Sequence, residues 1–560
     1  MNPVIIPIKD QRKLRSTLKG RTPDPKALAE VRSLLGGEPR RRDLLIEHLH
    51  KIQDRYAHLS AAHLVALAAE MKLALAEVYE VATFYHHFDV VKEGEAAPAA
   101  ITVRVCDSLA CEMAGAKQLL EKLPGILGRD VRVISAPCVG RCETAPVVVI
   151  GQNALPRATL DGVKKRVAAK ALKQKLGKYI AYAEYRRNGG YHRLRECLAG
   201  KHDYRALTQT MEDSGLRGLG GAGFPAGRKW KIVRAEPEPR LLAVNIDEGE
   251  PGTFKDRYYL ERDPHRFLEG MLIAAWTAGI AEVYIYLRDE YAGCRAILER
   301  ELAALRADPP CALPPIHLRR GAGAYICGEE SAMIESIEGK RGMPRLRPPY
   351  VAEVGLFDRP TLEHNMETLY WVREILEKGA AWFSRHGRRE RHGLRSFSVS
   401  GRVNKPGVHL APAGITVKEL IAEYCGGMLA GHAFYAYLPG GASGGILPAS
   451  MGDIPLDFDT LQPYGCFIGS AAVMILSDRD RATDAARNLM RFFAEESCGQ
   501  CTPCRVGTAK ALKLLQQPKW NQALLTELSQ VMIDASICGL GQAAPNPVLC
   551  VMKYFPHELA

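Results

Sequence analysis

Three cysteines, Cys498, Cys501 and Cys504, stand in a Cys-x2-Cys-x2-Cys run, and Cys538 follows 34 residues after the last of them. Thiolates at that spacing wrap three irons of a [4Fe–4S] cube, with the fourth ligand drawn from further along the chain. Zinc is the competing occupant, but zinc sites more often use two separated pairs. A second set consists of Cys106-x4-Cys111 and Cys138-x3-Cys142. Its four thiolates suit either a [2Fe–2S] cluster or zinc, and spacing alone leaves both open. Cys197, Cys294, Cys311, Cys327, Cys425, Cys466 and Cys550 lack such neighbours in sequence and read as ordinary reduced thiols.

A second kind of chemistry is written in glycines. Gly218, Gly220 and Gly223 fit G-x-G-x-x-G, a pattern whose missing side chains let backbone N–H groups approach a phosphate or a flat ring. The local grammar is imperfect, because polar residues precede the glycines and Phe224-Pro225 should interrupt any following helix. The sequel strengthens it. Leu241 to Val244 is an apolar run suited to a buried parallel strand, and Asn245-Ile-Asp-Glu-Gly-Glu-Pro-Gly falls at its carboxyl end, where ligands collect in open α/β sheets. A third stretch, Arg320 to Ser331, again combines glycines with Tyr325, Glu329 and Glu330.

The elements that must hold these residues follow from periodicity. Helical spacing runs through 41–87, with Ser60 a candidate N-cap; His86 and His87 read as surface or packing residues with no second ligand pair nearby. Strand–loop–helix grammar then occurs twice between 97 and 160 and puts each cysteine pair of the second set at a strand end. Residues 161–215 read as a basic helical linker, and 395–480 as strands and turns. The segments 482–494, 509–515 and 524–533 read as helices of a small bundle around the Cys-x2-Cys-x2-Cys run.

In this order the three glycine-bearing stretches resemble the flavin subunit of the NADH-oxidising module shared by respiratory complex I, NAD-reducing hydrogenases and NAD-dependent formate dehydrogenases. The resemblance covers about residue 175 to the C-terminus, while 40–160 resembles that module's thioredoxin-like [2Fe–2S] subunit. It implies FMN, NAD, a [2Fe–2S] cluster on Cys106, Cys111, Cys138 and Cys142, and a [4Fe–4S] cluster on Cys498, Cys501, Cys504 and Cys538. For FMN it implies Gly218, Gly220, Gly221, Ala222, Lys229, Asn245, Asp247, Glu248, Gly328, Glu329, Asn365 and Thr368, with Tyr325 beside the flavin and lining the dinucleotide site. For NAD it implies Phe224, Glu250, Glu330, Arg347 and Tyr350. At His364 the chain departs from the family's usual pair of asparagines, although a histidine can also donate to phosphate. Glu330 would lie near the adenosine ribose and favour NAD over NADP; no arginine adjoins it in sequence, but Arg347 could approach it in the fold.

The expected fold is a multidomain α/β chain. Its parts are a basic extension (1–36), a helical subdomain (37–96), a thioredoxin-like domain (97–172), a Rossmann-like FMN and NAD domain (173–394), a ubiquitin-like β-grasp domain (395–480) and a C-terminal helical bundle (481–560). No side chain is expected to act as a catalytic acid, base or nucleophile, since hydride passes between nicotinamide and flavin. Segments 40–54 and 87–95 resemble most the beta subunit of molybdenum- or tungsten-containing formate dehydrogenase. That implies a separate catalytic alpha subunit with a bis-molybdopterin cofactor and further Fe–S clusters. The alternatives are the diaphorase subunit of a soluble NAD-reducing hydrogenase, the NADH-input subunit of complex I, or a zinc-stabilised scaffold.

Composition is compatible with each: 560 residues, 47% hydrophobic and 25% charged, as in ordinary globular chains. The longest nearly apolar run, Met271 to Leu287, contains Glu282 and reads as a core helix passing into a strand; with no secretory signal visible, a cytoplasmic setting is expected. The net charge of +12 is local: +7 within 1–42 and +10 within 164–205, leaving −5 elsewhere. No aromatic-interleaved basic strand accompanies it, so solvated segments or an acidic partner surface are expected rather than nucleic acid.

Overall fold

The computed structural model describes residues 21–559. More than half of the stretch read as a basic extension, residues 1–20, therefore lies outside the described residues, while Pro25–Leu35 is a helix whose N-cap Asp24 accepts from Ala27 N. Helices Leu45–Tyr56, Ala61–Met71 and Leu75–Phe84 complete the helical subdomain, and Ser60 caps the second of these through His63 N.

The thioredoxin-like sheet runs in the order β2 (Val131–Ala136), β1 (Ile101–Cys106), β3 (Val148–Ile150), β4 (Asn153–Leu155). Only β1 and β2 pair in parallel. Both cysteine loops leave the same ends of those two strands, which brings the two pairs together.

The central sheet is wholly parallel: β8 (Thr361–Asn365), β5 (Arg240–Ile246), β6 (Ile280–Leu287), β7 (Ile316–Arg320). Strand β5 is apolar without alternation because both faces are covered. Leu242, Val244 and Ile246 join the core under helices Pro264–Ala278 and Met366–Lys378; Leu241 and Ala243 join the core shared with the N-terminal helices. Most of the 161–215 stretch is not a linker, in keeping with the domain start expected at 173. Tyr182, Tyr185, Tyr191, Leu194, Leu207 and Met211 are buried in the first of these cores, so the helices between 182 and 213 belong to this domain. The sequence pattern was obscured by the lysines and arginines on their outer faces.

Strands β9 (Leu394–Gly401), β10 (Gly407–Pro412), β11 (Phe434–Leu438), β12 (Leu447–Pro448) and β13 (Ala472–Ser477) form a mixed sheet ordered β10-β9-β13-β11-β12. Helices Ala482–Glu495, Thr502–Leu515, Gln522–Ala535 and Asn546–Tyr554 close the chain. Among the described residues no helix is long and apolar enough to cross a membrane.

Candidate functional site

The glycine loop, the carboxyl end of β5 and the 325–330 segment meet at one cleft of about 430 Å³. Gly218, Gly220, Gly221, Ala222, Phe224, Lys229, Asn245, Asp247, Glu248, Glu250, Tyr325, Gly328, Glu329, Glu330, Arg347 and Asn365 all line it. Two expected residues do not. Thr368 is fully buried and its hydroxyl accepts from Leu219 N at 2.9 Å, so it props the glycine loop from behind. Tyr350 is 55% exposed and stands outside the cleft.

Local sequence explains the floor. The chain crosses it with Gly221 at φ 127°, a conformation side chains avoid. Contrary to the expected interruption, a helix opens immediately afterwards, Ala226–Ala235, with Pro225 as its N-cap. Proline is tolerated at a helix start because the first N–H groups have no helical partner. That helix carries Lys229, whose ammonium donates to Glu363 O at 2.8 Å and to Glu363 Oε2 at 2.9 Å, with Glu330 at 4.0 Å. Burial alone would lower the Lys229 pKa, but the two carboxylates outweigh it and hold the group above its ordinary value.

The acidic residues differ in what they have left to offer. Glu248 accepts from the backbone N–H groups of Asp256 and Arg257 and from Tyr291 OH, so its carboxylate anchors the following helix; burial, then the Asp256 charge, push its pKa up to about 7. Glu250 accepts from Tyr325 OH and from both N–H and hydroxyl of Ser443. Burial holds Asp247 well above the carboxylate range, with Arg288 opposing. Its Oδ2 and the Oδ1 of Asn365 are buried and unpartnered. Buried polar atoms are nearly always satisfied, so two orphans beside a glycine floor fit a polar, flat ligand such as a flavin.

Several lining residues were not anticipated. Ser443, Phe467 and Ser470 enter from the β9–β13 domain, and Gly539, Leu540 and Ala543 from the C-terminal helices. They lie 200 residues or more from the glycine loop, and no local pattern announces them. Lys255 is buried between Asp256 at 2.9 Å and Glu367 at 3.2 Å, and Asn365 Nδ2 donates to Asp256 Oδ2. His364 is buried and lines the cleft; Trp230 Nε1 donates to its Nε2 at 2.8 Å. An indole N–H only donates, and burial, then Lys229, keep the ring neutral, so the proton sits on Nδ1, which is left as a donor.

Both cysteine sets are assembled. Cys106 ends β1, Cys111 lies in the short helix Leu109–Met113 rather than in a loop, and Cys138 Sγ is 3.3 Å from Cys142 Sγ, all four buried. Hydrogen bonds from Cys106 and Cys142 hold the Cys138 thiol well below its usual range, with Arg288 and Gly140 N–H assisting. Cys106 and Cys142, which donate to Cys138, are pushed the other way, above the usual thiol range; four buried sulfurs on these two loops suit cluster ligation. Cys501 and Cys538 each precede a helix, Thr502–Leu515 and Gly539–Ala543, and a side chain at Gly541 would strike Ser536 and Cys504, so these loops pack tightly together. One reading of the remaining cysteines changes: Cys466 and Cys550 do have company, with sulfurs 3.5 Å apart in the core.

Four family models match along the chain: thioredoxin-like [2Fe–2S] ferredoxin at 31–171, Nuo51 FMN-binding domain at 211–374, SLBB domain at 396–447, and the NADH-ubiquinone oxidoreductase-F iron–sulfur binding region at 484–560. The mitochondrial NADH-ubiquinone oxidoreductase 51 kDa subunit of Neurospora crassa is 36% identical over 455 residues, 77% of this chain and 91% of the relative. The mitochondrial NADH dehydrogenase [ubiquinone] flavoprotein 1 of Dictyostelium discoideum is 37% identical over 390 residues, 66% of this chain and 81% of that protein. A crystal structure of NAD+-reducing [NiFe]-hydrogenase in the H2-reduced state superposes with a TM-score of 0.81 at 31% identity, covering 93% of each chain. With these likenesses spanning most of each relative, the chain belongs to the family of the NADH-dehydrogenase 51 kDa flavoprotein.

Proposed function

We propose that this chain is the NAD-reactive electron-transfer subunit of a larger dehydrogenase, with FMN in the cleft and NAD entering past Phe224, Glu250, Glu330 and Arg347. FMN, when bound, exchanges hydride with a nicotinamide ring and single electrons with iron–sulfur clusters. The chain's own residues bind and orient. The open N-terminus of helix Met366–Lys378, preceded by Asn365 with no side-chain cap, and the Nδ1–H of His364 would receive the phosphate. Asp247 and Asn365 would satisfy polar atoms of the flavin. The observation that supports the reading is that Gly539 and Leu540, directly after Cys538, line the cleft, so a cluster held by Cys538 would lie beside a flavin bound there.

The electron donor in this reading is a formate-oxidising partner with a molybdenum or tungsten bis-molybdopterin cofactor, in a cytoplasmic assembly. Segments 40–54 and 87–95 support it. A hydrogenase partner is the second reading, favoured by a solved hydrogenase chain that matches over 93% of its length. Anaerobic purification of the tagged chain from its host, with metal analysis of what accompanies it, separates them. Molybdenum or tungsten with pterin supports the first; nickel, or a membrane assembly without pterin, removes it.

A further inference from the structure

From sequence His87 reads as a surface or packing residue with no second ligand pair nearby; the fold puts His50 against it. The two rings lie 4.9 Å apart between the helical subdomain and the end of β6. Each imidazole has one nitrogen committed. His50 Nε2 donates to Gly321 O at 2.9 Å, and His87 Nδ1 lies 2.6 Å from Asp289 Oδ2. Each has its other nitrogen, His50 Nδ1 and His87 Nε2, buried and without a partner. A carbonyl accepts and a carboxylate accepts, so in the neutral rings the orphan nitrogens both carry lone pairs. Two such lone pairs, buried on neighbouring rings and each ring steadied from behind by a carbonyl or carboxylate, match the outer arrangement of metal-bound histidines.

We propose that His50 and His87 form a two-imidazole site for a borderline divalent transition-metal cation of the Zn2+ class, with Gly321 O and Asp289 as outer partners. His50, His87 and Asp289 each offer an atom within 4.8 Å of the others. A cavity of about 370 Å³ is lined by His87 and Asp289, with Arg104, Asp107, Glu290 and Glu495 beside them; His50 lies behind His87, away from its lining. Oxygen-seeking Ca2+ and Mg2+ are disfavoured by two nitrogen donors. Arg320 at 2.5 Å and Arg295 at 3.2 Å from Asp289 Oδ1 oppose a cation, partly offset by Asp54 on Arg320. The site is therefore a labile one of two protein ligands, distinct from the thiolate sites.

The test uses the holoprotein. After chelator dialysis, it is equilibrated with Zn2+, and bound zinc, iron and flavin are measured for the wild type, His50→Gln, His87→Gln and the control His86→Gln. The expected result is one zinc per chain in the wild type and the control, a loss of at least tenfold in affinity in the other two, and unchanged iron and flavin. Zinc-edge X-ray absorption of the wild type guards against variants that fail to fold: nitrogen neighbours near about 2.0–2.1 Å without sulfur are expected. A wild type that retains no zinc, zinc held by sulfur, or equal binding by the His87 variant would overturn the proposal.

Discussion

Arg347 Nη1 lies 2.7 Å from Glu330 Oε1, and its Nη2 lies 3.2 Å from Glu329 Oε1, at the mouth of the cleft. Glu330 also has Lys229 at 4.0 Å. In sequence no arginine adjoins this glutamate, yet the fold flanks it with two cations, so in the proposed dinucleotide site its repulsion of an NADP phosphate would be softened rather than bare. Cofactor choice should then depend on the balance of the pair. Glu330→Gln releases Arg347 and should raise kcat/KM for NADP; Arg347→Gln leaves the carboxylate less screened and should lower it. The pair is partly exposed, with Arg347 35% and Glu330 25% accessible, so each change should be about fivefold, near the 1 kcal/mol of an exposed pair. Steady-state kinetics with both cofactors checks this, and shifts of the same sign in the two variants would remove the balance argument.

Arg288 spans two parts of the molecule. Its Nη2 donates to Cys138 O at 2.7 Å and its Nη1 to Glu248 O, tying the [2Fe–2S] loop to the loop after β5. Arg257 reinforces the seam through Gly140 O at 2.8 Å, and Gly140 has no space for a side chain against Tyr291. Arg288→Met should cost about 3–5 kcal/mol, because it strands buried acceptors and the Glu290 charge. Limited proteolysis should cut the 169–181 connection sooner in that variant. An unchanged cleavage rate would mean that the seam is held elsewhere.

Cys501→Ser should remove about four irons per chain and leave the [2Fe–2S] signal intact. Cys138→Ser should lose the other cluster but keep FMN and NADH–ferricyanide activity. Iron and flavin analysis reads both outcomes; loss of flavin from the second variant would show that the seam above makes the two sites interdependent.

Glu248 carries a pH signature. Its folded-state pKa, about 7, lies above the ordinary glutamate value, so the folded state binds the proton more tightly. That contribution is fully present below about pH 4.5 and is lost as pH rises through 7. Between pH 5 and 7.5, thermal stability of the flavin-free chain should fall with rising pH, and less steeply in Glu248→Gln. Parallel slopes would place the titration elsewhere.

The basic 164–205 stretch presents Lys164, Lys165, Lys170, Lys173, Lys175 and Lys178 to solvent. If these lysines dock an acidic partner, the complex should weaken as the Debye length falls from about 10 Å at 0.1 M salt to about 3 Å at 1 M. Gel filtration at both salt concentrations measures it; an elution unchanged between them would leave the lysines as a solvated face.

What could be read before the fold was known had short range. The Cys498–Cys504 run, the apolar β5 with its acidic tail, and the Ser60 cap are local patterns, and local physics is enough to interpret them. Three missed pairings share one cause. Cys466 beside Cys550, His50 beside His87, and Ser443 under Glu250 are brought together by topology across 84, 37 and 193 residues. Such pairs leave no periodicity to detect. Pro225 misled differently: its rule forbids helix interiors, whereas here it caps a helix start.

The central claim is that one chain joins NAD, FMN and two clusters through the cleft beside Cys538. Anaerobic titration of the purified holoprotein with NADH, followed by visible absorption and electron paramagnetic resonance, tests it most directly. The account predicts one flavin and about six irons per chain, bleaching of the flavin by NADH, and the signals of reduced clusters, with the [4Fe–4S] signal absent in Cys501→Ser. A colourless, zinc-bearing protein, or clusters that NADH leaves oxidised while the flavin is present, would contradict it.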